Sequence, residues 1–196
     1  MNPLSALRTT ALLLATTLAV GVGHTQTNVW KIDPTHSGVQ FQIRHLGVSN
    51  VHGSFSKVSG TVDLDEKDAT KSHVAATIDT TTVNTNEAAR DKHLSTPEFF
   101  DTAKYPAMTF KSSSITNAAG HLKMTGDLTI AGVTKPVTLD VDGPAAPQKG
   151  MHGGMVSGFS ATGTLSRKDF NFGQKYTSPL LGDEVKFTID IEMSRP

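Results

Sequence analysis

The sequence contains no cysteine, and its positive and negative charges cancel. Without cysteine the chain can form no disulfide, thiol nucleophile, thiolate metal site or acylated lipoprotein anchor. Lysine plus arginine and aspartate plus glutamate each number 18, so we expect no general electrostatic attraction to nucleic acid or anionic lipid. A length of 196 residues is typical of one domain with a substantial core. These features exclude a disulfide scaffold and disfavour a DNA or RNA partner.

Long hydrophobic runs are also scarce. The run at residues 11–23 (ALLLATTLAVGVG) is uncharged and mostly apolar, but it is shorter than the roughly 20 residues that a membrane-spanning helix needs. Arg8 precedes it and small residues end it, which is the pattern of a signal peptide with two possible cleavage points. We therefore expect a signal peptide at residues 1–26, a folded domain at residues 27–196 and no transmembrane anchor. Export without disulfides favours the bacterial periplasm, with secretion as the alternative.

From Val29 onward the chain shows period-two alternation of apolar and polar residues, with turn signals between the runs. Each run predicts a half-buried strand, and Ala131-Gly132-Val133-Thr134 predicts a hairpin turn. About eight strands at hairpin spacing indicate an all-β protein, an antiparallel sandwich or barrel. The inward residues of the runs include Val39, Phe41, Ile43, Val62, Leu64, Val74, Ala76, Ile78, Met108, Phe110, Leu122, Met124, Leu128, Ile130, Val137, Leu139, Val141, Phe159, Ala161, Gly163, Leu165, Val185, Phe187, Ile189 and Ile191.

Four small residues fall on the inward face of these predicted strands: Ala76, Gly126, Ala161 and Gly163. The interior of an eight-stranded barrel is either just filled by side chains or holds one small ligand. Small residues among large neighbours predict a cavity. The alternative is that large residues opposite fill the gaps, or that the glycines mark bulges where the sheet curls. From the alternation alone, a cavity and a filled interior are about equally supported.

One segment, residues 82–105, does not read as a strand. Asn84 or Asn86 can cap a helix, strong helix formers follow at residues 87–94, and Pro97 ends the pattern. Burying each large apolar side chain here, Phe99 or Phe100 for example, is worth on the order of 2 kcal/mol, so the segment should lie on the barrel. We predict a helical insertion that closes one end of the barrel, with RDKHL as its last helical turn.

Several ordered motifs resemble the YceI-like polyisoprenoid-binding proteins, and together they span the chain after its first 29 residues. They are WKIDPTHSGVQFQIRHLGVSNVHGSF (residues 30–55), RDKHLSTPEFFD (90–101), YPAMTF (105–110), GDLTIAGVTKPVTLDV (126–141), FSATGTLSRKDFNFG (159–173) and LGDEVKFTIDIE (181–192). The resemblance implies an eight-stranded antiparallel lipocalin-like barrel with a short helical insertion. It implies an elongated apolar pocket for an isoprenoid or other long-chain amphiphile, and no catalytic residues.

The chain departs from the family pattern after RKDF, where that pattern often has glycine and this sequence has Asn171 and Phe172. Asparagine tolerates left-handed backbone angles, so we expect the turn to survive.

Strand parity extends the interpretation to the polar end of such a ligand. Continuing two inward series by two residues reaches His45 and Arg167, and we hypothesise that these bind a polar head group with Asp91 or His93 from the helix. The alternatives are that Arg167 pairs with Asp169 or Asp91, because a buried charge must be paired, and that His45 is a hydrogen-bonded core residue. The full predicted ligand-binding set is Phe41, Ile43, His45, Ala76, Ile78, Asp91, His93, Phe99, Phe100, Met108, Phe110, Met124, Leu128, Phe159, Ala161, Gly163, Arg167, Phe187 and Ile189.

Signatures of catalysis and metal binding are weak. No G-x-S-x-G or H-E-x-x-H occurs, and Ser95 after His93 is typical of a turn or cap. Residues 151–155 (MHGGM) offer thioether and imidazole groups that suit Cu(I), but a flexible loop explains this Gly-rich segment better. We predict no cofactor and no metal site. Three functions remain in descending order: a carrier or store for a long-chain amphiphile, a ligand-free stress-response or interaction barrel, and an enzyme acting on such a lipid. A homodimer is a further possibility that the sequence does not decide.

Overall fold

The computed structural model describes residues 29–151 and 153–196. The predicted signal peptide at residues 1–26 lies outside these ranges. Within them, no helix is long or apolar enough to cross a membrane. The strands are β1 (Val29–Ile32), β2 (Gly38–His45), β3 (Ser49–Phe55), β4 (Val58–Asp63), β5 (His73–Asp79), β6 (Ala107–Ala118), β7 (His121–Ile130), β8 (Val133–Asp142), β9 (Gln148–Lys149), β10 (Met155–Ser166) and β11 (Leu181–Arg195).

The strands form one closed antiparallel barrel. Their order is β3-β2-β11-β1-β4-β5-β6-β7-β8-β10-β9, and pairing of β10 with β11 closes the ring. Both β1 and β2 pair along the same edge of β11, β1 at Met193 and Ser194 and β2 at residues 181–190, so they occupy one position in the wall. In the same way β4 pairs with β1 while β3 pairs with β2, and β9 continues β8 along β10. Eight wall positions result, which confirms the predicted eight-stranded antiparallel barrel.

The predicted hairpin between β7 and β8 is confirmed. Ile130 pairs with Val133, and the two residues between them have positive φ angles, 46° at Ala131 and 79° at Gly132. Positive φ at both central residues matches the right-handed twist of the flanking strands. A side chain at Gly132 would also collide with the ring of Tyr105, whose nearest atoms lie 2.9 Å from where a Cβ would stand. Glycine is therefore required by both the turn and the contact.

One half of the barrel interior is almost completely filled by side chains. Trp30 and Met193 are completely buried there, and Val62, Met124 and Leu139 pack in the same core. Each residue removes its apolar surface from water at roughly 25 cal/mol per Å². This buried core stabilises the barrel.

Neighbouring rings occupy the space beside the two inward glycines. A Cβ at Gly126 would stand 2.5 Å from Cζ of Phe110, and one at Gly163 would stand 2.6 Å from Cζ of Phe187. The pairing of β6 with β7 shifts between Ser112 and Ser114, next to the Gly126 pair, so a bulge is also present. The alternative of filled gaps and bulges is correct at these positions. They leave no open cavity.

The segment between β5 and β6, residues 80–106, forms the predicted insertion. It contains a 3₁₀ turn (Thr80–Thr82) and helix α1 (Ala88–Leu94), followed by Pro97. The N-cap is Glu87, whose carboxylate accepts from the Ala89 N–H at 3.2 Å. The expected caps Asn84 and Asn86 were wrong, because the backbone of Asn84 instead pairs with Ser54 on β3. This pairing attaches the insertion to the barrel wall.

Candidate functional site

A cavity of about 450 Å³ lies in the other half of the barrel, under the insertion. Its lining is almost entirely aliphatic and aromatic. Its lining residues are Val39, Phe41, Ile43, His45, Val51, Phe55, Ile78, Thr85, Arg90, His93, Leu94, Phe99, Phe100, Met108, Leu128, Ile130, Leu165, Arg167, Phe170, Phe172, Tyr176, Leu180, Leu181, Val185, Phe187 and Ile189.

Strand register produces the apolar wall on one side of this cavity. On the paired strands β2 and β11, Ile43 lies opposite Val185 and Phe41 lies opposite Phe187. Residues two apart on a strand share a face, so these cross-strand pairs stand together on the inner surface. The polar residues between them, Gln42 with Lys186, occupy the outer surface. Simple alternation therefore builds the wall.

Aromatic rings from two separate segments close the cavity. Phe99 and Phe100 of the insertion are each 7% exposed, which agrees with their predicted closing position. They meet Phe172 and Tyr176 of a segment that we call the rim loop, residues 171–180. The centroids of Phe100 and Phe172 are 4.4 Å apart at 66°, and those of Phe99 and Tyr176 are 5.8 Å apart and nearly parallel. Such pairs add about 0.5–1.5 kcal/mol each beyond their buried area.

Polar contacts tie the insertion to the rim loop beside these rings. The Glu98 carboxylate lies 2.7 Å from Nζ of Lys175 and 3.0 Å from Nε2 of His93. The Gly173 N–H donates to the Glu98 carbonyl at 2.9 Å. The Lys175 ammonium, assisted by His93, lowers the pKa of Glu98 to about 2, so this carboxylate is ionised at neutral pH. The closure is therefore both aromatic and electrostatic.

Arg167 anchors the rim loop to the barrel and is only 1% exposed. Its guanidinium donates to the carbonyls of Gly182 at 2.8 Å, Phe172 at 2.9 Å and Gly173 at 2.7 Å, and also to the carbonyl of Tyr176.

Two further acceptors complete the surroundings of the Arg167 guanidinium. The Leu181 carbonyl lies at 3.2 Å, and the Asp183 carboxylate lies at 2.8 Å. All five N–H donors are thus used within the protein. Arg167 is paired with a carboxylate, as expected, but the partner is Asp183 and not Asp169 or Asp91. Arg167 borders the cavity and has no donor left for a ligand.

The turn after Arg167 takes the shape that the sequence predicts. A 3₁₀ turn (Arg167–Phe170) ends at Asn171, which has φ 57° and ψ 27° in the left-handed region. The Phe172 N–H then donates to the Arg167 carbonyl at 3.1 Å. Asparagine thus supplies the conformation for which the family pattern often uses glycine. The turn directs the Phe172 ring toward the cavity.

Thr85 joins two charged residues of helix α1 to the preceding segment. The Asp91 carboxylate accepts from the Thr85 N–H at 2.8 Å and from its hydroxyl at 2.5 Å. Arg90 donates from Nε to the Thr85 hydroxyl and from Nη2 to the Thr85 carbonyl, each at 2.8 Å. Arg90 lines the cavity, whereas Asp91 does not. The predicted head-group role of Asp91 therefore finds no support, because its carboxylate is turned to Thr85.

Most of the predicted ligand-binding residues lie on this one cavity, including His45 and His93. His45 faces inward as parity predicts, and its side chain hydrogen-bonds to no residue in the described ranges. The other predicted residues on the cavity are Phe41, Ile43, Ile78, Phe99, Phe100, Met108, Leu128, Arg167, Phe187 and Ile189.

The remaining predicted residues lie away from the cavity for identifiable reasons. Met124 and Phe159 border a void of about 30 Å³ in the filled half of the barrel. Phe110 covers Gly126, and the space beside Gly163 is taken by Phe187. The residues not on the cavity are Ala76, Asp91, Phe110, Met124, Phe159, Ala161 and Gly163.

Sequence reasoning missed two groups of lining residues. Val185 and Leu165 were recognisable by parity, since they continue inward series. Phe172 and Tyr176 lie in an irregular loop where no periodicity applies, and Arg90 lies on a short helix whose orientation depends on tertiary contacts. Only the cluster of aromatics after Asn171 hinted at a second closing segment.

A group of three side chains outside the cavity has the spacing of a metal site: Asp33, His36 and Glu192. His36 Nδ1 lies 2.9 Å from the Asp33 carboxylate and 3.5 Å from that of Glu192. Hydrogen bonds from Thr35 and then His36 lower the pKa of Asp33 to about 2, while Asp33 raises that of His36. The imidazole is 63% exposed, and an ion pair accounts for this arrangement. The other sequence candidate, residues 151–155, includes His152, which lies outside the described ranges.

Comparison with known proteins places this geometry in a family. A family model described as the YceI-like domain matches residues 30–193. The Protein YceI of Escherichia coli O157:H7 is 43% identical over 171 residues, covering 83% of this chain and 85% of that protein. The crystal structure of Burkholderia cenocepacia BcnA covers 82% of this chain and 98% of its own, with a TM-score of 0.72 at 27% identity.

A second solved structure shows the same fold at low identity. It is a polyisoprenoid binding domain from Saccharophagus degradans implicated in plant cell wall breakdown, with a TM-score of 0.62 at 15% identity. The match covers 85% of this chain and 98% of that one, and it bears on the fold alone. The family model and the curated relative agree with the sequence motifs: the chain belongs to the YceI-like family.

Proposed function

We propose that this protein is an exported, non-catalytic carrier or store that holds one long-chain amphiphile, an isoprenoid or fatty chain, inside its barrel. The apolar cavity is the observation that carries this proposal. Its volume of about 450 Å³ falls within the range of roughly 300–1,000 Å³ for small-molecule sites. Each methylene that the ligand buries there contributes about 0.8 kcal/mol. A long chain therefore gains binding free energy that a short or polar molecule cannot.

The closure explains how such a ligand would be kept from water. Phe100 and Phe172 cover the cavity, and the Glu98–Lys175 ion pair holds the two closing segments together. Because loops that admit ligands come from the less stable parts of a fold, the insertion and the rim loop are the natural route of entry. The polyisoprenoid binding named for the Saccharophagus domain supports the same ligand class here, and the signal-peptide pattern supports a periplasmic location.

The alternatives have less support. A ligand-free interaction barrel would need a filled interior, and this interior is filled only in one half. An enzyme would need an acid–base pair free to transfer protons to a bound chain. The nearest pair at the cavity, His93 with Glu98, is engaged with Lys175 at the closure. A homodimer stays a prediction.

Mass spectrometry of an organic extract of the gently purified protein tests the proposal first. We expect a stoichiometric long-chain amphiphile, and protein emptied of it should take up a fluorescent fatty-acid probe. A protein that is empty as isolated and also takes up no fatty or isoprenoid probe would refute the carrier function.

Two variants on one strand then locate the site. Val185→Trp places an indole inside the cavity, whereas Lys186→Trp places the same group on the outer face of β11. We expect Val185→Trp to lower probe affinity at least about tenfold, because the indole occupies the volume that the chain needs. Lys186→Trp should bind as the wild type does. Equal binding by both variants would mean that the probe lies elsewhere.

A further inference from the structure

Arg90 differs from the other polar groups on the cavity in that its guanidinium is not fully used. Nε and Nη2 bond to Thr85, while Nη1 bonds to no residue in the described ranges. None of the carboxylates in those ranges lies within 4 Å of it, and Asp91 is separated from it by the Thr85 hydroxyl. Arg167, the other arginine on the cavity, donates all of its N–H groups to protein acceptors.

This arrangement leaves a positive charge half-buried against an apolar surface. A cation in such a place is stabilised by an anion or by hydrogen bonds, and a guanidinium can offer two parallel donors to a carboxylate or a phosphate. Thr85 holds Nε and Nη2 of Arg90, so the side chain is positioned before any ligand arrives. The Nη1 donors take part in neither of these bonds and are available to an oxyanion.

We propose that Arg90 binds the anionic head group, a phosphate or carboxylate, of an amphiphile whose chain occupies the cavity. This inference rests on the proposed function and deepens it, since it selects acidic amphiphiles over neutral ones of the same length. It also places the head group at Arg90 rather than at the predicted Arg167 and Asp91. Lys92 on the same helix is exposed and does not line the cavity, so it does not share this role.

The test compares three amphiphiles with one chain: hexadecyl phosphate, hexadecanoic acid and hexadecan-1-ol. Each displaces a neutral fluorescent probe from the delipidated full-length mature protein at pH 8, below its aggregation concentration. We expect the wild type to bind the phosphate or the acid roughly tenfold to a hundredfold more tightly than the alcohol, as for a hydrogen bond to a charged group. The two anions separate a phosphate site from a carboxylate site.

Arg90→Gln should abolish this preference, because it weakens binding of the two anions more than binding of the alcohol. Arg90→Lys should retain part of it, because an ammonium keeps the charge but loses the planar fork. Lys92→Gln removes one charge from the same helix and should leave the preference intact, which controls for general electrostatics. Thermal melts of all variants check that each is folded.

The outcomes separate this inference from the function on which it rests. Alcohol binding without preference for either anion in the wild type would overturn the role of Arg90 and leave the carrier function standing. An equal loss of affinity for all three ligands in Arg90→Gln would assign Arg90 a purely structural role. Failure of the wild type to bind any of the three would overturn both.

Discussion

Replacement of Arg167 tests the reasoning about the rim loop most directly. The variant Arg167→Met keeps a side chain of similar reach but removes all five N–H donors. Five backbone carbonyls, from Phe172 to Gly182, then lose a charged donor, and Asp183 loses its buried partner. The change is confined to one residue that is 1% exposed, so water cannot replace the donors without opening the loop.

The expected loss of stability is large but bounded. Breaking a buried charged network from one side costs about 3–5 kcal/mol. The share due to Asp183 is small, because that side chain is 39% exposed and its charge is screened by water. The loss therefore arises mainly from carbonyls left unpaired, at about 1–3 kcal/mol for each that stays buried, and partial opening of the loop relieves some of it. For a domain of this size the melting temperature should fall by about 6 to 20 °C.

Urea denaturation of Arg167→Met and the wild type, followed by tryptophan fluorescence, measures this loss. Lys168→Met is the matched control, because Lys168 contacts the same Asp183 carboxylate at 2.9 Å from a more exposed position, 39% against 1%. We expect the control to lose no more than about 1 kcal/mol. Arg167→Lys should recover only part of the stability, since three donors on one nitrogen cannot reach acceptors spread from residue 172 to residue 183.

Two outcomes would refute the anchor. If Arg167→Met lost no more stability than the Lys168 control, the hydrogen bonds of Arg167 would not hold the loop. If the variant kept its stability but lost affinity for an anionic amphiphile, Arg167 would be a head-group residue, as the parity of β10 suggested.

Two further predictions concern packing and pH. Gly126→Ala should lower the free energy of unfolding by about 1–3 kcal/mol in urea denaturation, because its Cβ would stand 2.5 Å from both the Phe110 ring and the Lys111 carbonyl oxygen; unchanged stability would contradict this packing. Glu98→Gln should flatten the acid dependence of stability, measured by urea denaturation between pH 5 and 3. The pKa of Glu98 is depressed from 4.5 to about 2 by Lys175, so its contribution is present above about pH 4.5 and is lost as the pH falls toward 2; parallel curves would refute it.

The barrel wall could be predicted from the sequence because its physical cause is local. Alternation with period two fixes which side chain faces inward, and Ala131-Gly132 fixes a turn, independently of the rest of the chain. The same parity predicts that Phe41, Ile43 and Phe187 share one inner surface, and all three line the cavity. Paired strands then had only one register that kept these side chains inside.

The position of the cavity could not be predicted in this way. Small inward residues suggested where space would be, yet space depends on the rings opposite, and the Phe110 ring already covers Gly126. The cavity instead lies where large residues line the wall. The rotamer of a ring and the strand that faces it are set by tertiary packing, which leaves no periodic pattern in the sequence.

The hydrogen-bond partners of the polar side chains could not be predicted from the sequence either. Parity placed Arg167 at the inner end of β10, but it could not show that the following residues fold back to supply six acceptors. Nor could it show that Thr85 hydrogen-bonds the Asp91 carboxylate and leaves the Nη1 group of Arg90 without a partner in the described ranges. Side chains on irregular segments are partnered by proximity rather than by spacing, so their roles follow only from contacts.

The two closing segments are held with unequal strength, and this asymmetry bears on how a ligand enters. The rim loop is fixed to the barrel by the buried guanidinium of Arg167. The insertion is tied to that loop by the Glu98–Lys175 pair, in which the lysine side chain is 64% exposed, and by stacked rings. An exposed ion pair is worth about 0–1 kcal/mol, far less than a buried network. We therefore expect ligand entry to separate the insertion from a rim loop that stays on the barrel, at the cost of the Gly173–Glu98 hydrogen bond and of exposing Phe99, and this would move Arg90 together with the insertion.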